Sequence, residues 1–309
     1  MIQYMIVKDG KLVFTDTADQ ADIVRLVAPA PDEIKMVSEL TTAPTDLLSA
    51  ACDKDERPRF ETEDNMHLIV LRVPHEDSNS DIPVITVAFG IVLTSSHIIS
   101  VCSVDSPVWD ALSKTKPYIP SVGNRLHFLC ALFMSIGRLY LLHLQRIRTE
   151  ANTVEKEIHH SMRNEMLIRM LNLEKCLVYF TTSLRGHEPL WNRLKRIQKR
   201  ELTEEEQDLL EDIQIEFKQA QDLAEIHSNI LSGMMDAFAS VISNNLNVVM
   251  KFLTAITIIL MLPTLIASIY GMNVELPFQH SPHAFLITMI MSAVLSAIGV
   301  ALFLKRKFF

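Results

Sequence analysis

Glycine is scarce in this chain: eight in 309 residues, with no two close enough for a G-x-G-x-x-G turn or a phosphate-cradling P-loop. H-E-x-x-H is missing as well, which excludes a helix-borne zinc hydrolase centre. Nothing in the sequence points to an enzyme. The four cysteines, Cys52, Cys102, Cys130 and Cys176, have no C-x-x-C spacing and read as reduced, structural thiols. With 29 Lys and Arg against 37 Asp and Glu, the net charge is −8, and no nucleic-acid partner is expected. The basic block Arg185, Arg193, Lys195, Arg196, Lys199 and Arg200 is short, and an acidic run from Glu201 to Glu216 follows it. Such blocks read as solvated helix faces or as partners of one another. The opening MIQYMIVKDGKLVF has no basic start before an apolar run, so no cleaved signal is expected.

The most informative absence is that of charge near the C-terminus. From Phe252 to Val274, and again from Leu276 to Leu304, there is no Asp, Glu, Lys or Arg. Each run exceeds the roughly 20 residues that cross a bilayer core. Two transmembrane helices are expected, about Lys251–Met272 and Ala284–Leu304; two buried core helices are the alternative. Lys251 precedes the first run, Lys305, Arg306 and Lys307 follow the second, and the loop between holds a single acid, Glu275. The positive-inside rule therefore places both termini in the cytoplasm and the loop outside, in the inner (cell) membrane.

The soluble-like remainder divides in two. Up to about residue 115 the chain reads as mixed α/β. Its β-branched stretches at 66–74, 82–96 and 97–103 read as strands, and Pro31–Cys52 has helical patterning with Ile34, Val37, Leu40, Leu47 and Leu48 on the apolar side. From Ser121 to Leu184 there is no proline, and apolar residues recur at three- and four-residue steps, so a long helix is expected. RGHEP at 185–189 should end it, with a shorter helix then running to about Arg200. Thr203 and Glu206 form a capping box that opens a further helix, Glu204–Tyr270. At about 1.5 Å per residue such a helix is about 100 Å long, most of it a stalk outside the bilayer that must be bundled to be stable.

On the helix that carries the first apolar run, Asn247, Met250, Thr254, Thr257, Met261, Thr264 and Ser268 follow one another at three- and four-residue steps and line one side. The face is either a helix-packing surface, its hydroxyls satisfied on the preceding turn, or a pore wall built from several copies. The run ends in Gly271, Met272 and Asn273, a combination that also suits a plain helix C-cap.

YGMN at 270–273, ending the penultimate span ahead of a final span and the tail KRKFF, resembles the CorA family of divalent-cation channels. NNLNVVMKFLT at 244–254 is similar to that family's entry to the pore helix, and the order of domains matches over nearly the whole chain. The resemblance implies an α+β cytoplasmic domain (1–118), a long-helix and stalk region (119–246), a pore-lining first span with the GMN end (247–273), an outer loop (274–283), a second span (284–304) and a basic tail (305–309). It implies a homopentamer, a funnel of stalk helices in membrane lipid, that conducts hydrated Mg²⁺ and with it Co²⁺ and Ni²⁺. A Zn²⁺-carrying relative and a non-conducting membrane-tethered scaffold are the alternatives.

By the same resemblance Gly271, Met272 and Asn273 form the selectivity filter. Met250, Leu253 and Met261 form an apolar constriction, Leu253 lying one position off the polar stripe, and Lys251, Lys305, Arg306 and Lys307 form a basic collar. Asp212 on the stalk and Asp53 in DKDERPRFE would bind regulatory Mg²⁺ between subunits. In one respect the chain departs from the family: proline commonly follows the pore methionine directly, whereas here it lies one residue later, at Pro263.

Overall fold

The structure, a computed structural model, describes all residues except 64–65, 78–79, 116–118, 161–163, 198–201, 279–280 and 306–309. It has two compact units, Met1–Gly233 and Met234–Phe309.

The first unit is built on a seven-stranded sheet of β1 (Ile2–Lys8), β2 (Lys11–Thr15), β3 (Ile23–Val27), β4 (Arg59–Glu63), β5 (Met66–Glu76), β6 (Val84–Leu93) and β7 (Ile98–Cys102), in the order β2-β1-β3-β7-β6-β5-β4. Among the described residues only the β3–β7 pair is parallel. The three expected strands are β5, β6 and β7, with small shifts at their ends. All of β7 and nearly all of β6 are buried. A strand covered on both faces needs an apolar run rather than alternation, which is what their sequences provide.

Four further strands are not signalled by the sequence pattern. Of these, β1 and β2 are joined by Asp9 and Gly10 at φ 51° and 72°, between the paired residues Lys8 and Lys11. Positive φ at both central residues gives a turn whose twist matches that of the flanking strands.

Helices α1 (Pro31–Thr41) and α2 (Thr45–Ala50) cover one face of the sheet. Ile34, Val37, Leu47 and Leu48 pack there with Val24, Leu26, Leu68, Val92 and Ile99. The single helical stretch expected over 31–52 is thus two helices. Thr42 is left-handed at φ 57°, and Pro44 disfavours helical geometry at Ala43. Contact across this face is close: a Cβ on Gly90 would lie 2.3 Å from the Ala51 Cβ. From β6, Phe89 meets Trp109 of α3 (Val108–Thr115) at 6.3 Å between ring centroids. Trp109 in turn lies 6.5 Å from Phe128 of α4 (Arg125–His160).

The helical region departs from expectation at its breaks. The helix expected from Ser121 begins at Arg125 and ends at His160, and α5 (Asn164–Ile197) then runs straight through RGHEP with Pro189 inside it. Proline removes the amide that would bond the Arg185 carbonyl and costs about 3 kcal/mol in a helix interior. Packing overrides that cost. A Cβ on Gly186 would lie 3.1 Å from Pro58 Cγ, so the glycine lets the 53–59 loop lie against α5. His187 is fully buried, and its Nε2 accepts a hydrogen bond from the Arg72 amide at 2.9 Å. Its ring meets those of Tyr140, Trp191 and Phe217 at 6.2, 6.3 and 5.3 Å. Burial, and secondarily the Arg72 charge, push the His187 pKa down to about 3, so the ring is neutral and Nδ1 carries the proton. Leu190 and Trp191, both buried, add apolar burial of about 1.5–3 kcal/mol for a side chain of leucine size.

Helix α6 spans Glu204–Tyr270, as the sequence leads one to expect. Its capping box is formed: Glu206 N–H donates to Thr203 Oγ1 at 3.3 Å, and Thr203 N–H donates to Glu206 Oε2 at 3.0 Å. In the first unit Leu210, Ile213, Phe217, Ala220 and Ala224 form its buried row, while Ile215, Ile226 and Ile230 are exposed. Among the described residues three helices, α4, α6 and α7 (Ala284–Lys305), contain windows apolar enough to cross a membrane. That of α4 is 67% buried inside the protein, whereas those of α6 and α7 are 6% and 0% buried. Apolar α4 is core; the windows of α6 and α7 have no such cover.

The Gly90–Ala51 contact makes a test of the sheet's helix-covered face. Gly90→Ala should destabilise the first unit by about 1–3 kcal/mol through overpacking, seen as a lower thermal midpoint of the purified chain. Adding Ala51→Gly, which removes the opposing methyl, should recover part of the loss; no recovery would mean that the contact is not the cause.

Candidate functional site

The polar stripe belongs to the second unit, where α6 and α7 pack on one another. The contact is made through small residues: Ala255 is fully buried, and a Cβ on Gly299 would lie 3.2 Å from Leu262 Cδ1 and 3.9 Å from Ile259 Cγ1. Ile256, Ile259, Leu262 and Ile266 are half-buried on that side. Asn247, Met250, Leu253, Thr254, Thr257, Met261, Thr264 and Ser268 are all exposed. At about 100° per residue the stripe is centred well over 90° away from the face that meets α7. Among the described residues of this unit nothing covers it. Sequence reasoning missed the roles of Ala255 and Gly299; a small residue at a helix–helix contact is their only mark in the sequence.

The stripe's three threonine hydroxyls are satisfied locally. Thr254 Oγ1 donates to the Met250 carbonyl at 2.8 Å, Thr257 Oγ1 to that of Leu253 at 2.8 Å, and Thr264 Oγ1 to that of Leu260 at 3.2 Å. Each keeps lone pairs facing outward and has no free donor. Met250, Leu253 and Met261 are 52%, 56% and 62% exposed, large apolar side chains set among these hydroxyls. The helix continues through Pro263, which leaves the Ile259 carbonyl without its usual amide four residues on.

At the end of α6 the backbone unwinds over the Gly-Met-Asn residues. Gly271 N–H still donates to the Ala267 carbonyl at 2.9 Å, and Met272 N–H donates to Ile269 at 3.2 Å, a tightening of the last turn. Gly271 does not take positive φ. A Cβ there would instead lie 3.3 Å from the Ala267 oxygen, so what the position needs is close approach rather than left-handed backbone. Gly271, Met272 and Asn273 are exposed. The following loop is tied back by the Tyr270 hydroxyl, which donates to the Pro277 carbonyl at 3.2 Å, and Phe278 takes φ 64°.

Lys251 and Lys305 are exposed, whereas Arg306 and Lys307 lie outside the described residues. Of the two acids assigned to regulation, Asp212 is exposed on α6. Asp53 opens a tight turn: its Oδ1 accepts from the Asp55 amide at 2.9 Å and its carbonyl from the Glu56 amide at 3.2 Å. Asp55 lies 3.6 Å from the Arg72 guanidinium. Among the described residues no group of three or more His, Cys, Asp or Glu side chains is placed to hold a metal ion.

Comparison with known proteins gives a consistent answer. The CorA-like Mg²⁺ transporter protein family matches residues 19–306. The cobalt/magnesium transport protein CorA of Methanocaldococcus jannaschii is 26% identical over 301 residues, 96% of this chain and 91% of that protein. The Thermotoga maritima protein of the same name is 25% identical over 280 residues, 89% of this chain and 80% of that protein. The complete structure of the M. jannaschii CorA magnesium transporter superposes with a TM-score of 0.84 at 25% identity, covering 100% of this chain and 99% of that one.

Matched threonines separate a wetted stripe from a packed one. Thr257 on the stripe and Thr288 on α7 both bond a carbonyl of their own helix, Thr288 to Phe285 at 2.9 Å. Thr257→Val should lower Mg²⁺ uptake several-fold at equal membrane abundance, and Thr288→Val should leave it near wild type. Equal behaviour of the two variants would make the stripe an ordinary helix-packing face.

Proposed function

The chain belongs to the CorA-like Mg²⁺ transporter family, and from that premise we propose that it is a homopentameric channel for hydrated Mg²⁺, closed by cytoplasmic Mg²⁺ bound between subunits. The observation that carries the reading is the exposed polar stripe of α6, turned away from α7 and ending at Gly271, Met272 and Asn273. Two spans per chain cannot enclose a pore. Several copies of α6 with their stripes facing inward can, and α7 then faces lipid. In the first unit, exposed Ile215, Ile226 and Ile230 of α6 supply an apolar row for contact between copies.

In this arrangement a ring of Asn273 side-chain carbonyls and Gly271 backbone carbonyls forms the filter. Mg²⁺ prefers six oxygens at about 2.0–2.1 Å and gives up water reluctantly. Neutral carbonyls bond to its water shell and hold the ion weakly enough to release it. Inside the filter, Met250, Leu253 and Met261 form a constriction that closes by dewetting, and Lys251 with Lys305, Arg306 and Lys307 forms a basic collar. Both termini are cytoplasmic and the 274–283 loop is outside. Co²⁺ and Ni²⁺ have similar hydrated shells and share the path. Asp212 and Asp53 from neighbouring subunits repel until a divalent cation bridges them, and the bridge favours the closed arrangement. The ion shifts that equilibrium only by its differential affinity for the two states.

Asn273→Ala should abolish Mg²⁺ uptake into liposomes while leaving assembly intact, because it removes every side-chain ligand of the filter without touching core packing. Wild-type uptake by that variant would sink the filter assignment. Zn²⁺ taken up in preference to Mg²⁺ by the wild type would move the chain to the zinc-carrying alternative.

Assembly is tested separately. The mass of the protein in mild detergent should be that of five chains. A monomer or dimer under every mild condition would exclude a pore lined by α6.

A further inference from the structure

Arg72 of β5 occupies an unusual position in the first unit. Its side chain is only 12% exposed, and it links three segments. Nε donates to Thr86 Oγ1 at 3.2 Å, Nη2 donates to the Thr86 carbonyl, and Nη1 donates to the Glu56 carbonyl at 3.2 Å. The guanidinium therefore clasps the turn that Asp53 opens and fastens it to β6. The backbone of the same residue faces the helices: its amide donates to His187 of α5, and its carbonyl accepts from the Tyr140 hydroxyl of α4 at 2.8 Å. Thr86 extends the link, its hydroxyl 2.8 Å from that of Ser183 on α5.

The path ends on α6. The His187 ring meets that of Phe217 edge-on at 5.3 Å, and Phe217 is buried on the helix that carries Asp212 five residues earlier. A second, independent contact joins the same turn to α5, where Pro58 lies so close to Gly186 that a Cβ would sit 3.1 Å from Pro58 Cγ. The 53–58 segment is thus held to α5 by a charged clasp and a steric one, and α5 is held to α6 by a ring contact. Polar groups bonded this closely do not move independently.

We propose that Arg72 is a positioning residue that couples the Asp53 turn to α6, so that a divalent cation bound at Asp53 is felt by the stalk helix through Arg72, His187 and Phe217. The inference rests on Asp53 as an ion-binding group, the reading given above, and it adds the route by which that group acts. Without the clasp, Mg²⁺ still meets Asp53, but less of the turn's movement reaches α5.

The experiment is current through patches of liposomes holding the full-length protein, with Mg²⁺ raised on the cytoplasmic face. The variants are Asp53→Ala, Arg72→Lys, Gly186→Ala and the Asp53→Ala/Arg72→Lys pair. Lysine keeps the charge but cannot reach Thr86 and Glu56 together. Arg72→Lys should raise the Mg²⁺ concentration for half-inhibition about tenfold, within the usual range of coupling between sites, with maximal current unchanged. Gly186→Ala, which alters no charge and no ion ligand, should shift the same concentration by at least about threefold. The double variant should be no less sensitive to Mg²⁺ than Asp53→Ala alone, as expected for groups acting in series. A purely structural role would lower abundance or maximal current and leave the half-inhibition concentration in place. If Asp53→Ala leaves inhibition unchanged, the ion-binding reading falls and the coupling with it. If Asp53→Ala shifts inhibition while Arg72→Lys and Gly186→Ala do not, the coupling alone is overturned. Should Arg72→Lys fail to assemble, Gly186→Ala decides on the same terms.

Discussion

A helix of 67 residues cannot be held by its own hydrogen bonds in water, and the organisation of this protein follows from how α6 is covered along its length. Near its start the cover is protein. A capping box satisfies the first amides, and Leu210, Ile213, Phe217, Ala220 and Ala224 turn a buried row inward. On α4, Gly137 admits the helix closely: a Cβ there would lie 2.9 Å from Glu216 Cγ. Farther along, α7 alone lies beside the same helix among the described residues, and most of its side chains are exposed although they are apolar. The change of solvent is written into the change of composition. Charges are dense up to Glu225 and absent after Lys251 up to the end of the helix.

That demand makes the large features legible in the sequence itself. Charge-free runs, the Thr203–Glu206 cap and the lack of proline between the cap and Pro263 fix α6 almost to the residue. Strands β5, β6 and β7 are legible for a similar reason, since strands covered on both faces must be apolar throughout. The smaller strands escape notice because their signal lies elsewhere. β2 is largely exposed and its apolar run, Leu12 to Phe14, is only three residues long, and the Asp9-Gly10 pair that marks the hairpin is a turn signal rather than a strand signal. RGHEP misleads in the opposite direction. Glycine and proline within four residues argue locally for a break, and nothing in the segment itself says that Pro58, Arg72 and Phe217 wait on three other elements to hold it helical. Propensity is a weak prior where tertiary contacts are this dense.

The site divides along the same line. The stripe is readable because it follows helical spacing within one segment, and Gly271–Asn273 and the flanking lysines because they bound the charge-free runs. The partners of that helix are not. Ala255 and Gly299 carry no chemistry, and their importance comes only from the approach of a second helix. Likewise the Asp53 turn looks like a solvated acidic loop in sequence. Besides the Ala88 amide, which donates to the Lys54 carbonyl at 3.1 Å, its attachment to the sheet runs through Arg72, a residue whose side chain interrupts the apolar middle of β5 and so resembles an edge position until its bonds are seen.

What the stripe offers an ion follows from where its protons go. Each threonine hydroxyl has one proton, and Thr254, Thr257 and Thr264 all spend it on a carbonyl of their own helix. Such a hydroxyl shows the outside an oxygen with lone pairs and no donor. A hydrated divalent cation, polarising its water inward, presents hydrogens on its outer surface. These three acceptors therefore match a hydrated cation, while an anion, whose shell presents oxygens, finds no donor on these hydroxyls. The fit needs no carboxylate, and none is present between Phe252 and Val274. The internal bonds that make the stripe tolerable to lipid in a single chain are thus the same bonds that, in the pore proposed above, would favour positive charge in a coat of water.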